Sequence, residues 1–132
     1  MSDAPRRVVT VEDSGGRVAA MDRVTRAYGL ALQVFPDAFS FRAWLATPPT
    51  DVVLFSLDHH LGSAARAGTG LDAALALAAL PPGAPVFCHS SDSLAAAGMQ
   101  QVLADAGWTT QRFVFSERAW RAALERLFGR AP

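Results

Sequence analysis

The stretch Val52-Val53-Leu54-Phe55-Ser56-Leu57-Asp58-His59-His60-Leu61-Gly62 decides the fold of this chain. Its first four residues, 52–55, form an apolar run with the length and composition of a buried β-strand. A carboxylate and two imidazoles, Asp58, His59 and His60, follow where we expect that strand to end. Ligands of open α/β sheets bind outside the carboxyl ends of the strands. The stretch therefore predicts a buried strand that leads into a functional site.

Two further apolar runs are followed by polar groups in the same way. Residues 8–11 precede the acidic pair Glu12-Asp13, and residues 85–88 precede His89-Ser90-Ser91. Titratable or hydroxyl groups after three separate strands are difficult to explain by packing alone. We therefore examine these three positions together as one candidate site.

The composition indicates one globular unit without a strong overall field. The chain has 132 residues, of which 51% are hydrophobic, so it suits a single domain over residues 1–132 with a sizeable core. Its formal net charge is zero, so no global field attracts nucleic acid or an anionic membrane. All the basic residues are Arg, which excludes any mechanism that needs a lysine amine.

The cysteine content and the hydropathy pattern exclude several other classes. A single cysteine, Cys88, excludes an internal disulfide and a multi-cysteine metal site. No apolar run is long enough to span a bilayer, and residues 1–7 lack the apolar core of a signal peptide. We expect a cytoplasmic protein with no membrane partner.

Short strand-like runs alternate with longer helix-like runs along the chain. The predicted strands are residues 8–11, 30–35, 52–55, 85–88 and 111–115. The predicted helices are residues 16–28, one from 36–37 to about 47, then about 71–80, about 94–106, and 116 to about 128. Strict alternation favours an α/β fold, a five-stranded parallel sheet with helices on both faces. The flavodoxin-like order 2-1-3-4-5 is the common solution at this length.

In that order the first and third strands are neighbours, so Glu12, Asp13 and Asp58 are expected to converge in one crevice. Mg²⁺ prefers oxygen ligands, often one or two carboxylates together with phosphate oxygens. The sequence therefore predicts a Mg²⁺ site that is open to a phosphate-containing ligand. The alternative is that Glu12 is a loop residue and Asp13 only caps the first helix.

The histidines supply groups that transfer protons near neutral pH. His59 and His60 are adjacent, so we expect them to point to opposite sides, with at most one facing the crevice. Either would protonate a leaving oxygen, and the alternative is a bond to a loop carbonyl. A zinc site of His59 or His60 with His89 and Asp58 also remains open, without a spacing typical of zinc.

The run His89-Ser90-Ser91 precedes a predicted helix, whose N-terminus favours anions. Ser90 is expected to donate a hydrogen bond to a phosphate oxygen. The stretch Ser91-Asp92-Ser93 supplies the N-cap candidates of the helix, and the alternative role of Ser91 is only to be that cap. A Ser-His-Asp hydrolase triad is disfavoured because the chain lacks Gly-x-Ser-x-Gly. Residues 62–70 are expected to form a flexible loop that carries Arg66 and ends with Thr69 as a helix cap.

These residues resemble those of the receiver domain of bacterial response regulators. Glu12-Asp13 resembles the acidic pair after the first strand of that family. Asp58 resembles its phospho-accepting aspartate, and Ser90 resembles the hydroxyl residue after the fourth strand. Receivers also carry a lysine after the fifth strand that contacts the acyl phosphate, and here Ser116 or Glu117 stands near that position.

A closer resemblance is to a divergent group, the cyclic-phosphate processing receivers. Their first hallmark resembles the stretch Ser56-Leu57-Asp58-His59-His60-Leu61-Gly62 followed by Gly68-Thr69-Gly70. Their second resembles His89-Ser90-Ser91 with Gly98-Met99. The position of His60 is usually acidic in that family. The resemblance implies processing of cyclic phosphate ends on nucleic acids.

The expected function is a stand-alone receiver-like domain with a metal-assisted phosphate site. Mg²⁺ would be held by Glu12, Asp13 and Asp58, and the phosphate would be handled by His59, His89 and Ser90. As an enzyme, this protein would be a phosphoesterase acting on cyclic phosphates. The alternative is a signalling receiver, either non-catalytic or phosphorylated on Asp58, that binds a protein partner. A third reading makes the protein a structural partner with incidental histidines.

Overall fold

The computed structural model describes residues 6–61 and 68–132 of the chain. Within them, five strands alternate with five helices, as the sequence predicts. The strands are β1 (Arg7–Val11), β2 (Ala31–Phe35), β3 (Val52–Asp58), β4 (Val86–His89) and β5 (Thr110–Phe113). The helices are α1 (Gly15–Arg26), α2 (Ala38–Leu45), α3 (Gly70–Ala78), α4 (Ser93–Asp105) and α5 (Glu117–Phe128).

The strands form one parallel sheet in the order β2-β1-β3-β4-β5, which confirms the predicted order. Helices α1 and α5 cover one face of the sheet, and α2, α3 and α4 cover the other. Both faces are therefore buried, which explains why the central strands are almost continuously apolar. Among the described residues, no helix combines the length and the apolar character that crossing a bilayer requires.

Each face of the sheet has its own apolar core, built from alternate residues of the strands. Val8 packs in the layer beneath α1 and α5, around the fully buried Trp120. Val9 and Val11 pack in the opposite layer, with Phe41 of α2. This alternation determines which face receives each polar side chain at the ends of the strands.

Two strands extend further than the sequence predicts. Strand β3 continues through Ser56 to Asp58, and β4 includes His89. The parallel register pairs Leu57 with Cys88 and Asp58 with His89, so the ladder continues beyond the apolar run. Polar residues mark the end of the apolar run, but backbone pairing between β3 and β4 continues past them. Asp58 and His89 are consequently held by the sheet itself.

Gly70 attaches the start of α3 to the end of β3. Its N–H donates to the His59 carbonyl oxygen at 3.0 Å. A Cβ atom at this position would lie 2.4 Å from the Asp58 carbonyl oxygen and 2.8 Å from the His59 Cα atom. Both contacts are with backbone, which cannot move aside without displacing the end of the strand. Only glycine allows this close approach.

We expect Gly70→Ala to lower the free energy of unfolding by about 1–3 kcal/mol, because the added methyl group overpacks the junction. Gly98→Ala is the matched control, since a Cβ there meets nothing within 4 Å on the exposed side of α4. That control should gain about 0.5–1 kcal/mol from helix propensity. Urea denaturation measures both, and equal effects of the two substitutions would contradict this account of the junction.

Candidate metal centre at the carboxyl end of the sheet

Three buried side chains converge where β1, β3 and β4 end. Glu12 directly follows β1, Asp58 is the last residue of β3, and His89 is the last residue of β4. Their residues are 1%, 1% and 0% exposed. One ligand atom from each lies within 4.8 Å of the other two. The structure thus brings together two carboxylates and an imidazole from three residues that are far apart in the sequence.

Strand alternation explains why these side chains share one face. Leu54 and Phe87 lie in the layer beneath α1 and α5. Asp58 is four residues beyond Leu54 and His89 is two beyond Phe87, so both project to that same layer. Glu12 is likewise four residues beyond Val8 of that layer. The period-two pattern was present in the sequence and is the signal that separates this cluster from the nearby polar residues.

Each of the three side chains presents an atom with no hydrogen-bond partner among the described residues. These atoms are Glu12 Oε1, Asp58 Oδ2 and His89 Nδ1. The other carboxylate oxygen of Glu12, Oε2, accepts from the N–H groups of Asp13 at 3.1 Å and Ser14 at 3.3 Å. A buried polar atom without a partner is costly, and native structures contain few of them. Three such atoms, on side chains whose ligand atoms lie within 4.8 Å of one another, indicate a site for a ligand.

Burying Glu12 and Asp58 together has an electrostatic cost. Burial, and then the charge of Asp58, raise the pKa of Glu12 to about 7. Burial also raises the pKa of Asp58, against the opposing effect of Arg17. Glu12 therefore tends to retain a proton near neutral pH, and burial disfavours the ionised form of Asp58. A divalent cation removes this cost because its charge stabilises both ionised forms.

Among the described residues, Arg17 provides the positive charge that lies nearest to Glu12 and Asp58. Its Nη1 atom lies 3.6 Å from Glu12 Oε1 and 3.5 Å from Asp58 Oδ2. Arg17 was not among the site residues predicted from the sequence. A signal was available, since a basic residue in the first turn of a helix opposes the helix dipole and needs a local reason. Here the reason is that α1 begins beside the buried carboxylates.

His89 is fixed in orientation and uncharged. Its Nε2 atom is 2.8 Å from the Ser56 hydroxyl, and its ring stacks on Phe113 with centroids 5.9 Å apart. Burial, with a smaller contribution from Arg17, lowers the pKa of His89 to about 3. The imidazole is therefore neutral in the range where proteins function. The neutral form is the one that binds metal ions.

Asp13 lies outside this cluster. It is exposed, although its charge is near enough to contribute to the raised pKa of Asp58. The alternative that Asp13 caps the first helix is wrong, because Ser14 is the N-cap of α1. The Ser14 hydroxyl accepts from the N–H of Arg17 at 3.3 Å. A role for Asp13 in holding Mg²⁺ stays a prediction.

The expectation that His59 and His60 point to opposite sides is wrong. Their ring centroids are 4.7 Å apart in an edge-to-face contact. The alternation of a strand ends with β3 at Asp58, so it no longer governs the two residues that follow. His59 is half-buried and His60 is exposed. Burial and the neighbouring His60 lower the pKa of His59.

Ser90 is buried at the turn between β4 and α4. Its hydroxyl accepts from the N–H of Asp92 at 3.0 Å. Asp92, rather than Ser91, is the N-cap of α4, and it accepts from the N–H groups of Leu94 and Ala95. Ser90 therefore helps to shape this turn, and a contact with phosphate stays a prediction.

Of the glycine-containing segment 62–70, the structure describes residues 68–70. Thr69 is the N-cap residue of α3, as predicted, and its N–H donates to the Asp72 carboxylate at 2.8 Å. Thr69 also forms an isolated antiparallel bridge with His60. The expected flexible loop over residues 62–67, which carries Arg66, lies outside the described residues.

No protein-family model matches the chain, and no curated protein matches its sequence. The fold does match solved structures. A CheY-like response-regulator receiver domain protein from Methanospirillum hungatei is 14% identical, with 94% of each chain covered and a TM-score of 0.69. The fold is that of a response-regulator receiver domain.

Two further structures with the receiver fold are informative. The BeF3-activated receiver domain of nitrogen regulatory protein C is 19% identical, over 92% of this chain and 94% of that one, with a TM-score of 0.66. The receiver domain of a Pseudomonas aeruginosa sensor histidine kinase has a magnesium ion coordinated in its active-site cleft. It is 16% identical, over 93% of this chain and 97% of that one, with a TM-score of 0.65.

The raised pKa of Glu12 predicts a specific pH dependence of stability. Between the usual value of 4.5 and about 7, the folded protein binds more protons at Glu12 than the unfolded chain does. Stability contributed by this group is therefore present at low pH and lost as pH rises through about 7. Glu12→Gln removes the titration and should gain roughly 2 to 3 kcal/mol relative to the wild type between about pH 5 and pH 8.

Comparing the two proteins isolates Glu12, since His89 is common to both. Urea denaturation in the presence of a chelator measures the difference at each pH. Glu125→Gln, on the exposed side of α5, is the control and should follow the wild type at every pH. A constant difference between Glu12→Gln and the wild type would contradict a titrating Glu12.

We expect Arg17→Ala to lower the stability of the metal-free protein by about 1 kcal/mol at pH 7, because two buried carboxylates lose their nearest cation. Arg26→Ala is the control, since Arg26 lies on the same helix and forms only an exposed ion pair with Asp22 at 2.8 Å. Its effect should be within about 0.5 kcal/mol. Equal losses in urea denaturation would show that Arg17 acts as an ordinary surface residue.

Proposed function

We propose that this protein is a receiver-like domain that uses a divalent cation at Glu12, Asp58 and His89 to bind and process a phosphoester. The observation that carries the proposal is the buried cluster of three side chains, whose ligand atoms lie within 4.8 Å of one another and each of which has an atom without a hydrogen-bond partner in the described part of the chain. The proposed substrate class is a nucleic-acid end with a cyclic phosphate, which follows from the resemblance of the Leu57-Asp58-His59 and His89-Ser90 stretches.

The residues present fit a divalent cation. Glu12 and Asp58 supply carboxylate oxygens, and Asp13 is a proposed additional contributor from the exposed rim. A bound cation would neutralise charge on the phosphate oxygens during the reaction. The nitrogen of His89 affects which metal the site prefers, because Mg²⁺ favours an all-oxygen set of ligands.

The other polar residues have roles in proton transfer and phosphate binding in this proposal. His59 is half-buried with a lowered pKa, so it is neutral near pH 7 and suited to accept a proton from water. The water oxygen forms a bond to phosphorus, one ester P–O bond breaks, and His59 returns the proton to the leaving ribose oxygen. The product is a phosphomonoester. Ser90 is proposed to donate to a phosphate oxygen.

The activity is tested with an oligonucleotide that ends in a 2′,3′-cyclic phosphate, followed by ³¹P NMR in the presence of Mg²⁺ or Mn²⁺. We expect conversion of the cyclic signal to a monoester signal. Asp58→Asn and His89→Ala should each lower the rate by about 100-fold or more, because each removes a group that stabilises developing charge. Asp105→Asn, at the exposed end of α4, is the matched control and should keep the wild-type rate.

An unchanged rate in both site variants would place the activity elsewhere or in a contaminant. Circular dichroism and thermal unfolding of each variant distinguish loss of the site from loss of the fold. A wild-type protein that leaves the cyclic signal intact with either ion contradicts the phosphoesterase proposal directly.

A second candidate is a signalling receiver that is phosphorylated on Asp58 and binds a protein partner. It is favoured by the position of Asp58 at the end of β3 in a receiver fold. Against it stand the absence of lysine from the sequence and the ion pair with Arg17. Incubation with acetyl phosphate and Mg²⁺ should then add one phosphoryl group by intact mass, and Asp58→Asn should add none. A mass increase without cleavage of the cyclic phosphate would favour this candidate.

A further inference from the structure

The third ligand atom of the cluster is a nitrogen. We propose that Glu12, Asp58 and His89 form a mixed nitrogen–oxygen site that binds a divalent transition-metal ion, such as Mn²⁺, in preference to Mg²⁺. Imidazole suits first-row transition metals, whereas Mg²⁺ is bound almost entirely by oxygen. This inference rests on the proposed function in one respect, that both need a divalent cation at this cluster.

The imidazole has the features of a metal ligand. His89 Nδ1 is buried with no hydrogen-bond partner among the described residues. The nearest carboxylate oxygen, Asp58 Oδ1, lies 3.6 Å away, beyond the range of a hydrogen bond. If His89 served only packing, its Nδ1 atom would be hydrogen-bonded, or the ring would be turned so that a carbon atom faced Asp58.

Ser56 is the positioning residue for this imidazole. Its hydroxyl is 2.8 Å from His89 Nε2, on the side of the ring away from the open nitrogen. Ligation at Nδ1 requires the proton to reside on Nε2, where it is donated to the Ser56 oxygen. Metal-binding histidines generally donate their other N–H to such a partner, which fixes both the tautomer and the ring. The contact with Phe113 further restricts rotation of the ring.

Arg17 is the group that the entering cation displaces. Its guanidinium contacts the oxygens of Glu12 and Asp58 that lack hydrogen bonds, and its side chain is 45% exposed. A long, half-exposed side chain can turn to solvent without disturbing the core. Arg17→Ala should therefore strengthen the binding of Mn²⁺ and Mg²⁺ by the same factor, because removing a competing charge does not discriminate between two ions of equal charge.

Calorimetric titration with Mn²⁺ and with Mg²⁺ measures the preference. We expect the wild type to bind Mn²⁺ at least 10-fold more tightly than Mg²⁺. His89→Gln and Ser56→Ala should each weaken Mn²⁺ binding by about 10- to 100-fold and change Mg²⁺ binding much less, so the ratio of the two affinities falls. Ser56→Ala preserves the imidazole and is the safer variant if His89→Gln fails to fold. His60→Gln is the matched control and should keep the wild-type ratio, because His60 is exposed and outside the cluster.

Pulsed EPR of the Mn²⁺-loaded wild type tests the nitrogen directly and needs no variant of the core. We expect a nitrogen hyperfine coupling that changes when the protein is labelled with ¹⁵N-histidine. The coupling should persist in His59→Gln and His60→Gln, which together with His89 account for all three histidines of the chain.

The outcomes separate this inference from the proposed function. Binding of Mn²⁺ without a histidine coupling, or a Mn²⁺ to Mg²⁺ ratio unchanged in both His89→Gln and Ser56→Ala, would overturn the mixed site. The cation-dependent function would survive either result, with Mg²⁺ on oxygen ligands alone. Failure of both ions to bind the wild type would overturn both the mixed site and the proposed function.

Discussion

The burial of two carboxylates side by side is the constraint on which this site depends. Val11 pairs with Leu57, so the next residues, Glu12 and Asp58, are adjacent at the end of the central strands. Both are almost completely buried, and burial together with the charge of Asp58 disfavours ionisation of Glu12. Such a pair needs a proton, a cationic side chain or a metal ion. In the metal-free molecule the raised pKa of Glu12 and the nearby guanidinium of Arg17 fill this need.

The imidazole of His89 changes what the cluster can bind. It enters from β4, on the same face as the two carboxylates, and its ring is held between the Ser56 hydroxyl and Phe113. The strand order thus brings the two carboxylates together, and His89 adds a neutral nitrogen to them in a chain that carries no lysine. In the proposed function, this nitrogen and the missing lysine favour chemistry on a bound phosphate over transient phosphorylation of Asp58. In the proposed mixed site, the preferred metal also depends on the Ser56 hydroxyl, because that hydroxyl orients the imidazole of His89.

Hydropathy periodicity was sufficient to predict the elements and their order in the sheet. Apolar runs of four to six residues alternated with helical spacing, and both faces of the sheet needed cover. The ends of β3 and β4 were predicted too early, because polar Ser56 and Asp58 resemble the start of a loop. Backbone pairing between neighbouring strands overrides that polarity, since Asp58 still pairs with His89. The inward direction of these side chains follows from alternation once the strand ends are known.

The sequence by itself determined the fold class, the strand order and the convergence of Glu12 with Asp58, because these depend on periodicity and chain order. The tertiary structure alone decided that Asp13 faces solvent, that His59 and His60 contact each other, and that Arg17 reaches the acidic pair. It also decided that Nδ1 of His89 is the open nitrogen. The outcomes for Arg17 and His89 depend on contacts between elements distant in the sequence, whose energies arise only when burial removes water from the groups involved. Those for Asp13, His59 and His60 depend on where strand pairing ends, which the neighbouring strands decide.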